Sequence, residues 1–248
     1  MITAQQAIDR LPDKANGVVV VLSGGMDSTI TMRLCVEKYG KGNVRALTFF
    51  YGQRQELEIQ KAKASTAFLG VQHKVLDLSV LGDISMGFSA NIDRDIKMPT
   101  IKDVLGDPTP KSYIPNRNMI LMSLAAAYAE TQGFEYILSG FQSVDEYGYW
   151  DTTARFVEKM NAVFAENRKI KIKLIAPFVE MTKGEELAVL RELDGNILLT
   201  TMTLTCYNPN INGESCGVCP SCSERIANFK LIGEIDTIAY SKIIDWNT

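Results

Sequence analysis

Short apolar runs and longer amphipathic stretches alternate along the first half of the chain. Residues 17–22 read GVVVVL, a β-branched run of the kind that is buried on both faces of a parallel sheet. Further apolar runs occupy 44–50 and 74–78, while the intervening stretches 27–39 and 56–69 have helical composition and are each followed by a glycine. This alternation predicts an α/β fold with a doubly wound, Rossmann-like parallel sheet.

The second half continues the alternation after an interruption. Residues 82–113 contain three prolines and little periodicity, so we expect a mobile insertion there. The stretch 118–132 is rich in Ala, Leu and Met, is apolar almost all round, and predicts a buried helix. The remaining predicted elements are strands at 136–139 and 170–176, which bring the sheet to five strands, and helices at 154–164 and 183–193, the last capped by Thr182.

Composition narrows the possible functions. The 248 residues suffice for one α/β domain over residues 1–200 and a small C-terminal module over 201–248. No apolar run is long enough to cross a bilayer and the first residues do not form a secretory signal, so we expect a cytoplasmic protein without a membrane partner. The net charge of −3 favours a small-molecule substrate over a nucleic acid. Because His73 is the only histidine, a two-histidine zinc hydrolase is excluded, and we expect His73 at a strand edge.

A glycine-containing loop, SGGMDS at residues 23–28, follows the first predicted strand and opens the first long helix. Gly24 and Gly25 would let the main chain come close to an anion, and the N–H groups and dipole of the following helix favour phosphate. The hydroxyls of Ser23 and Ser28 can add donors, and Asp27 is interpreted as a Mg²⁺ ligand or a brace of the loop. A tight glycine turn without a ligand is the alternative. The spacing matches neither the Walker motif nor the dinucleotide-binding motif.

Four of the five cysteines lie close together near the end of the sequence: Cys206, Cys216, Cys219 and Cys222. Four thiolates are the usual ligand set of a closed structural zinc site, in which Zn²⁺ holds the fold and does no chemistry. An iron–sulfur cluster or a set of free thiols would also fit this spacing. Cys35 stands alone in a predicted helix and is expected in the core.

The SGGMDS loop matches the SGGxDS signature of the PP-loop ATP pyrophosphatases, which hydrolyse ATP between its α- and β-phosphates. With the motifs around it, the chain from residue 18 to about residue 225 resembles the 7-cyano-7-deazaguanine synthase (QueC) family of these enzymes. The other motifs that carry the resemblance are YGQR at 51–54, HKVLD at 73–77, IPNRN at 114–118, GY at 148–149 with Asp151, and LTCYN at 204–208.

The resemblance implies a PP-loop, HUP-like fold and a reaction that consumes ATP. In this family 7-carboxy-7-deazaguanine is adenylated, ammonia converts the adenylate to the amide, and a second ATP activates the amide for dehydration to the nitrile. AMP and pyrophosphate are released. A homodimer with one Zn²⁺ per chain is also implied.

The resemblance further implies roles for the residues that match the motifs. ATP would be bound by Leu22, Ser23, Gly24, Gly25, Met26, Asp27 and Ser28, and catalysis would involve Ser23, Asp27, Ser28 and Lys183. A solvated lysine at the start of a helix is the alternative for Lys183. Arg54, at a helix start, and Arg117, just before a helix, would bind the phosphates or the substrate carboxylate, with salt bridges as the alternative.

The deazaguanine ring would be bound by a second set of residues: Tyr51, Gln55, Asp145, Tyr149, Trp150 and Asp151. Packing in a turn is the alternative for Tyr149 and Trp150. The chain departs from the family pattern here, because Gln55 stands where the family usually has His, Trp150 replaces Pro, and Thr152–Thr153 replace Cys-Arg.

These departures leave other functions open. A divergent relative could stop at the amide, or couple the acid to a protein amine in a phage or antiphage system. A PP-loop enzyme that modifies tRNA is a further alternative, opposed by the acidic composition and by the lack of an RNA-binding extension. The last alternative is a nucleotide-binding partner protein without catalytic activity, and the intact SGGMDS loop argues against it.

Overall fold

The computed structural model of the chain describes residues 2–54, 57–104, 107, 109–142 and 149–246. Its centre is a parallel sheet of five strands in the order β3-β2-β1-β4-β5, which confirms the predicted doubly wound fold. The strands are β1 Val18–Val21, β2 Val44–Phe50, β3 Gln72–Asp77, β4 Tyr136–Ser139 and β5 Lys173–Ile175.

The helices of the described residues cover both faces of this sheet. They are α1 Ala4–Asp9, α2 Met26–Tyr39, α3 Leu57–Leu69, α4 Ser79–Ser85, α5 Ile101–Val104, α6 Arg117–Gln132, α7 Ala154–Phe164, α8 Lys183–Asp194 and α9 Pro220–Leu231. Short 3₁₀ turns lie at Lys41–Asn43, Trp150–Thr152 and Leu198–Met202. None of the helices described is both long and apolar enough to cross a membrane.

The valines of β1 explain why the sheet is covered on both faces. Val18 and Val20 belong to one core with residues of α2 and α8, whereas Val19 belongs to a second core with residues of α6 and α7. Successive side chains of a strand point to opposite faces, so a strand between two helical layers must be apolar at every position. Cys35 of α2 is buried in the first core, as expected.

The outer strands differ in extent from the prediction. β3 pairs with β2 from Gln72 onward, two residues earlier than expected, and it forms one edge of the sheet. His73 lies on this edge strand, as predicted, and its Nε2 lies 2.8 Å from the Thr48 hydroxyl. β5 is shorter than predicted because the main-chain N–H of Ile172 donates to the Ile170 carbonyl, in a turn that leaves only three residues to pair with β4.

The predicted burial of α6 holds for one of its faces only. Met119 is 39% exposed and Ser123 is also exposed, while the opposite face packs on the sheet through Leu121, Met122, Ala125, Ala126 and Ala129. Alanine, leucine and methionine favour a helix whether or not it is buried, so this composition indicates helix more strongly than burial.

The segment 82–113 is largely irregular, as predicted, but its described part is packed into the protein. The buried Asn91 amide donates to the Ser112 carbonyl at 2.7 Å, and the Ala90 N–H donates to the Lys111 carbonyl at 2.8 Å. These bonds tie residues 90–91 of the segment to residues 111–112 near its C-terminal end. Its mobility stays a prediction.

A buried ion pair lies within the C-terminal region and also holds the segment that leads into the cysteines. The Arg225 guanidinium donates to both carboxylate oxygens of Asp236, at 2.6 and 3.1 Å, and also to the hydroxyls of Thr203 and Thr205. A further bond reaches the Thr200 carbonyl. Arg225 thereby fixes the segment that enters the cysteine-containing region. The boundary between residues 200 and 201 remains a prediction.

Candidate active site

A cavity of about 290 Å³ opens where β1, β2 and β4 end. Ligands of doubly wound sheets bind outside the carboxyl ends of the strands, where neighbouring connections diverge. The loop after β1, the first turn of α3, the start of α6 and the cysteine-containing region all reach this cavity. Its polar lining includes Ser23, Asp27, Ser28, Tyr51, Gln53, Glu58, Arg117, Asn118, Gln142, Tyr149, Lys183, Thr205, Tyr207, Ser221 and Glu224.

Hydroxyl groups hold the loop after β1 in shape. The Ser23 and Ser28 hydroxyls lie 3.0 Å apart, the Ser23 Oγ accepts the Gly25 N–H at 3.1 Å, and the Ser28 Oγ accepts the Ser23 N–H at 3.2 Å. Gly25 is the N-cap of α2, and no side chain caps this end of the helix. The first N–H groups of a helix have no partner within the helix, so this end suits an anion.

The loop packs so closely on its neighbours that two positions require glycine. Gly24 has a φ of +92°, and a Cβ there would lie 2.0 Å from the Glu58 carbonyl oxygen at the start of α3. A Cβ on Gly140, directly after β4, would lie 2.5 Å from the main-chain nitrogen of Ser28. Gly25 is less constrained, because its φ is −76° and the nearest atom to its Cβ would be 3.1 Å away. Gly24 and Gly140 therefore set the shape of this part of the cavity.

Lys183 is buried beside the loop, so its interpretation as a solvated lysine was wrong. Its side chain is 6% exposed, and its Nζ lies 2.7 Å from the Glu224 carboxylate and 3.9 Å from Asp27. Thr182 caps α8 as predicted, in a reciprocal capping box with Glu185. Because the cap fixes the first turn of α8, it directs the ammonium group of Lys183 to the loop end of the cavity.

Asp27 lies in a cluster of charged groups. Besides Lys183, it is hydrogen-bonded to Glu186, which is completely buried and accepts a hydrogen bond from Gln142. Burial and the charge of Asp27 raise the pKa of Glu186. Asp27 therefore braces the loop against α8, and its carboxylate also lines the cavity.

Arg117 forms a second part of the lining with three tyrosines, and we call Tyr51, Arg117, Tyr149 and Tyr207 the aromatic wall. Arg117 is the first residue of α6, not the residue before it. Its guanidinium lies 3.5 Å from the Tyr51 hydroxyl. Burial lowers its pKa, but the nearby Tyr51 and Asp151 more than compensate, so that the pKa of Arg117 is raised. Arg117 is thus a cation that faces the cavity.

Tyr149 and Trp150 are adjacent but occupy different surroundings. Tyr149 lines the cavity, its hydroxyl lies 2.8 Å from the Ser112 hydroxyl, and its ring stacks on Tyr113. Trp150 does not line the cavity and is 49% exposed, and its indole N–H donates to the Tyr113 hydroxyl at 3.0 Å. Trp150 therefore packs in a turn, as the alternative interpretation predicted, whereas Tyr149 faces the cavity.

Asp151 lies behind the cavity. It is buried, and its carboxylate accepts the main-chain N–H of Asn118 at 3.2 Å at the start of α6. Burial raises its pKa. Asn118 lines the cavity, so Asp151 supports a lining residue and does not line the cavity itself.

The structure places Arg54 away from the cavity. Its guanidinium donates to the carbonyls of Asp93 and Ile96, at 2.7 and 3.1 Å, and so holds the 82–113 segment. Nor does Arg54 begin a helix, because it lies in a bend and the described part of α3 begins at Leu57. The proposed ring ligands Gln55 and Asp145 lie outside the described residues.

Other lining residues were not anticipated from the sequence. Glu58, in the first turn of α3, lines the cavity, and burial raises its pKa to about 8 although Arg117 acts in the opposite direction. Its position after the carboxyl end of β2 was an available signal. Thr205, Ser221 and Glu224 also line the cavity, and only the folding of the cysteine-containing region brings them there.

The four cysteines converge as the sequence predicts. The Sγ atoms of Cys206, Cys216, Cys219 and Cys222 all lie within 4.8 Å of one another, and those of Cys216 and Cys222 are 3.9 Å apart. Tetrahedral zinc–thiolate bonds of about 2.3 Å would separate the sulfurs by about 3.8 Å. Main-chain N–H groups of Cys216 and Asn208 donate to the Cys206 sulfur, an arrangement that favours thiolates. The donor set therefore fits a closed four-thiolate metal site.

Comparison with known proteins places this geometry in context. A family model described as queuosine biosynthesis protein QueC matches residues 17–233. A 7-cyano-7-deazaguanine synthase of Oceanobacillus iheyensis is 35% identical over 226 residues, which cover 90% of this chain and 97% of that protein. The enzyme of the same name from Caldicellulosiruptor bescii is 37% identical over 230 residues, 92% of this chain and 99% of that protein.

A solved structure supports the fold independently. An NMN synthetase from Francisella tularensis aligns over 94% of this chain and 86% of its own, with a TM-score of 0.50 and 16% sequence identity. At this level of identity the likeness concerns the arrangement of strands and helices only.

Proposed function

This chain belongs to the QueC family of queuosine biosynthesis proteins, and on that premise we propose that it converts 7-carboxy-7-deazaguanine, ammonia and ATP to 7-cyano-7-deazaguanine. The observation that carries the proposal is a single cavity that joins the SGGMDS loop to a cationic aromatic wall. A nucleotide phosphate at the loop and a carboxylate at Arg117 would then meet within one cavity.

The chemistry requires activation because a carboxylate is a poor electrophile. The carboxylate oxygen attacks the α-phosphorus of ATP, pyrophosphate leaves, and an acyl adenylate forms. Ammonia attacks the acyl carbon and AMP leaves, which gives the amide. A second ATP transfers AMP to the amide oxygen and releases pyrophosphate, and loss of AMP and of both nitrogen-bound protons gives the nitrile. Each ATP is therefore cut between the α- and β-phosphates.

The loop end would hold the departing pyrophosphate. The main-chain N–H groups at the start of α2, the hydroxyls of Ser23 and Ser28 and the ammonium of Lys183 are donors fixed in place before the reaction. Such preorganised donors stabilise the charge that develops on a leaving group. Mg²⁺ would neutralise phosphate charge there, with the Asp27 carboxylate as its protein ligand.

The aromatic wall would hold the acid. Arg117 offers a planar, bidentate donor to the substrate carboxylate, and Tyr51 and Tyr149 offer ring faces and hydroxyls to the deazaguanine. Asp151 acts through Asn118 in this assignment. Binding of the ring by Gln55 and Asp145 stays a prediction. Zn²⁺ would occupy the four-cysteine site and hold the segment that carries Thr205 and Tyr207 against the cavity.

Product analysis tests the reaction. The purified protein is incubated with 7-carboxy-7-deazaguanine, ATP and ¹⁵N-ammonium, and the products are identified by mass spectrometry. We expect the nitrile as the main product, with one ¹⁵N atom and two AMP per nitrile. The amide as the final and only product would contradict the proposal.

A double substitution tests the site. Ser23→Ala with Asp27→Ala should abolish AMP formation while the far-UV circular dichroism spectrum stays that of the parent protein. The matched control is Ser123→Ala with Asp9→Ala, which changes the same residue types at exposed positions. Retained AMP formation in the loop variant would show that the nucleotide binds elsewhere.

A further inference from the structure

Glu58 holds a position that the proposed activity does not yet use. It lies in the first turn of α3 and lines the same cavity as the loop and Arg117. The main chain of Glu58 is fixed against the loop, since its carbonyl oxygen occupies the space that a Cβ on Gly24 would need. The main chain from which its carboxyl group extends is therefore held beside the place where a nucleotide would bind.

The other acidic side chains that line the described part of the cavity are already engaged. Asp27 and Glu224 both interact with Lys183, at 3.9 and 2.7 Å. Glu58 makes no ion pair within 4.0 Å with any described residue. Among the described acidic residues of the cavity lining, Glu58 is therefore the one whose carboxyl group has no protein cation within 4.0 Å.

Glu58 and Arg117 influence each other without touching. The charge of Arg117 lowers the pKa of Glu58, and both charges act on Tyr51, whose hydroxyl lies 3.5 Å from the guanidinium. Burial is the larger effect and raises the pKa of Glu58 to about 8. With this pKa the group is largely protonated at neutral pH, and a small cation placed between it and a substrate held at Arg117 would favour the charged carboxylate.

We propose that Glu58 binds the ammonium ion beside the acyl adenylate and accepts its proton, which makes it a catalytic residue of the amination step. The inference rests on the proposed function. Ammonium has no free electron pair and cannot attack a carbonyl. A proton passes from ammonium to the Glu58 carboxylate, and the ammonia so formed attacks the acyl carbon. The C–N bond forms, the C–O bond to AMP breaks, and AMP leaves with the electron pair. The amide nitrogen then loses its extra proton to water, and Glu58 returns its proton to solvent.

The proposal separates two half-reactions that can be measured independently. Adenylation is followed by exchange of radiolabelled pyrophosphate into ATP, with the acid present and ammonium absent. Amination is followed with ammonium and, separately, with hydroxylamine, which is mainly uncharged at neutral pH and needs no base. The test variant is Glu58→Gln, with Glu58→Asp as the conservative variant and Glu158→Gln, at an exposed site on α7, as the matched control.

In Glu58→Gln we expect pyrophosphate exchange within about threefold of the parent and ammonium-dependent turnover reduced by about 10²- to 10⁴-fold, the usual contribution of a positioned base. Turnover with hydroxylamine should stay within about tenfold of the parent, and Glu58→Asp should recover part of the ammonium activity. Equal losses with both amines would overturn the inference, because they would indicate a structural role, as would full activity with ammonium. Absence of acid-dependent exchange in the parent would instead refute the proposed function itself.

Discussion

The loop that would hold pyrophosphate is built from six consecutive residues, whereas the aromatic wall of the same cavity combines side chains from four separate segments. In the loop, hydroxyls and main-chain N–H groups of residues 23–28 bond to one another. In the aromatic wall, Tyr51 follows β2, Arg117 begins α6, and Tyr207 comes from the cysteine-containing region. The first arrangement depends on local main-chain geometry and the second on how distant elements pack. Substitutions should therefore affect them differently.

Loss of the metal site should produce the largest effect, because it should damage both parts of the cavity. Cys219→Ser removes one of four ligands, and structural zinc sites contribute about 10–16 kcal/mol of apparent binding free energy. We expect insoluble or metal-free protein, measured by soluble yield and by zinc content with mass spectrometry. Cys35→Ala, a buried cysteine outside the cluster, should retain one zinc per chain. A soluble and fully active Cys219→Ser protein would contradict the structural role.

Gly24→Ala should break the loop and leave the aromatic wall intact. A side chain here must adopt a φ of +92° and would meet the Glu58 carbonyl at 2.0 Å, so the loop and α3 must separate. We expect pyrophosphate exchange to fall at least about 10³-fold, since loss of one preorganised donor alone costs about 10²- to 10³-fold. Gly42→Ala, where a Cβ meets nothing within 4 Å, is the matched control. Normal exchange in Gly24→Ala would remove the loop from the mechanism.

Arg117→Lys should weaken binding of the acid and leave binding of the nucleotide nearly unchanged. The positive charge remains, but the planar pair of donors is lost. We expect the KM for 7-carboxy-7-deazaguanine to rise about 10²-fold, a loss typical of a bidentate hydrogen bond to a charged group, with the KM for ATP changed less than about threefold. Arg155→Lys, at an exposed position of α7, should match the parent in both constants. An increase in the KM for ATP alone would indicate that Arg117 binds the phosphates.

Tyr149→Phe should have the smallest effect. The substitution removes the hydroxyl that lies 2.8 Å from Ser112 and keeps the ring that stacks on Tyr113. A single neutral hydrogen bond contributes about 0.5–1.5 kcal/mol, so we expect the KM for the acid to rise about two- to tenfold. Tyr128→Phe on α6, outside the cavity lining, is the control for steady-state kinetics. A loss above about 10²-fold would mean that the hydroxyl contacts the reacting groups.

The same contrast explains what the sequence could predict. Periodicity and glycine placement located all five strands, the helix after the loop, and the loop itself, because these depend on residues close in sequence. The extent of β5 escaped prediction because it depends on how far β4 can pair with it. The one-sided burial of α6 also escaped prediction, because Ala and Met favour a helix without indicating which of its faces is covered.

Site residues divide in the same way. The four cysteines were identified by spacing alone, and the structure brings their sulfurs together. Arg54 was assigned by its motif to the phosphates or the substrate carboxylate. Its guanidinium instead holds the Asp93 and Ile96 carbonyls, because the direction of its side chain depends on a segment about forty residues away. Glu58 was not identified as a site residue from the sequence, because a carboxylate in the first turn of a helix is ordinarily explained by the helix dipole.

The most direct test of this account is the identity of the nucleotide products. The protein is mixed with ATP, Mg²⁺ and 7-carboxy-7-deazaguanine, with and without ammonium, and the phosphorus species are resolved by ³¹P NMR. The account predicts AMP and pyrophosphate in a one-to-one ratio, with formation dependent on the acid. Release of ADP and inorganic phosphate, or no cleavage under any of these conditions, would contradict it.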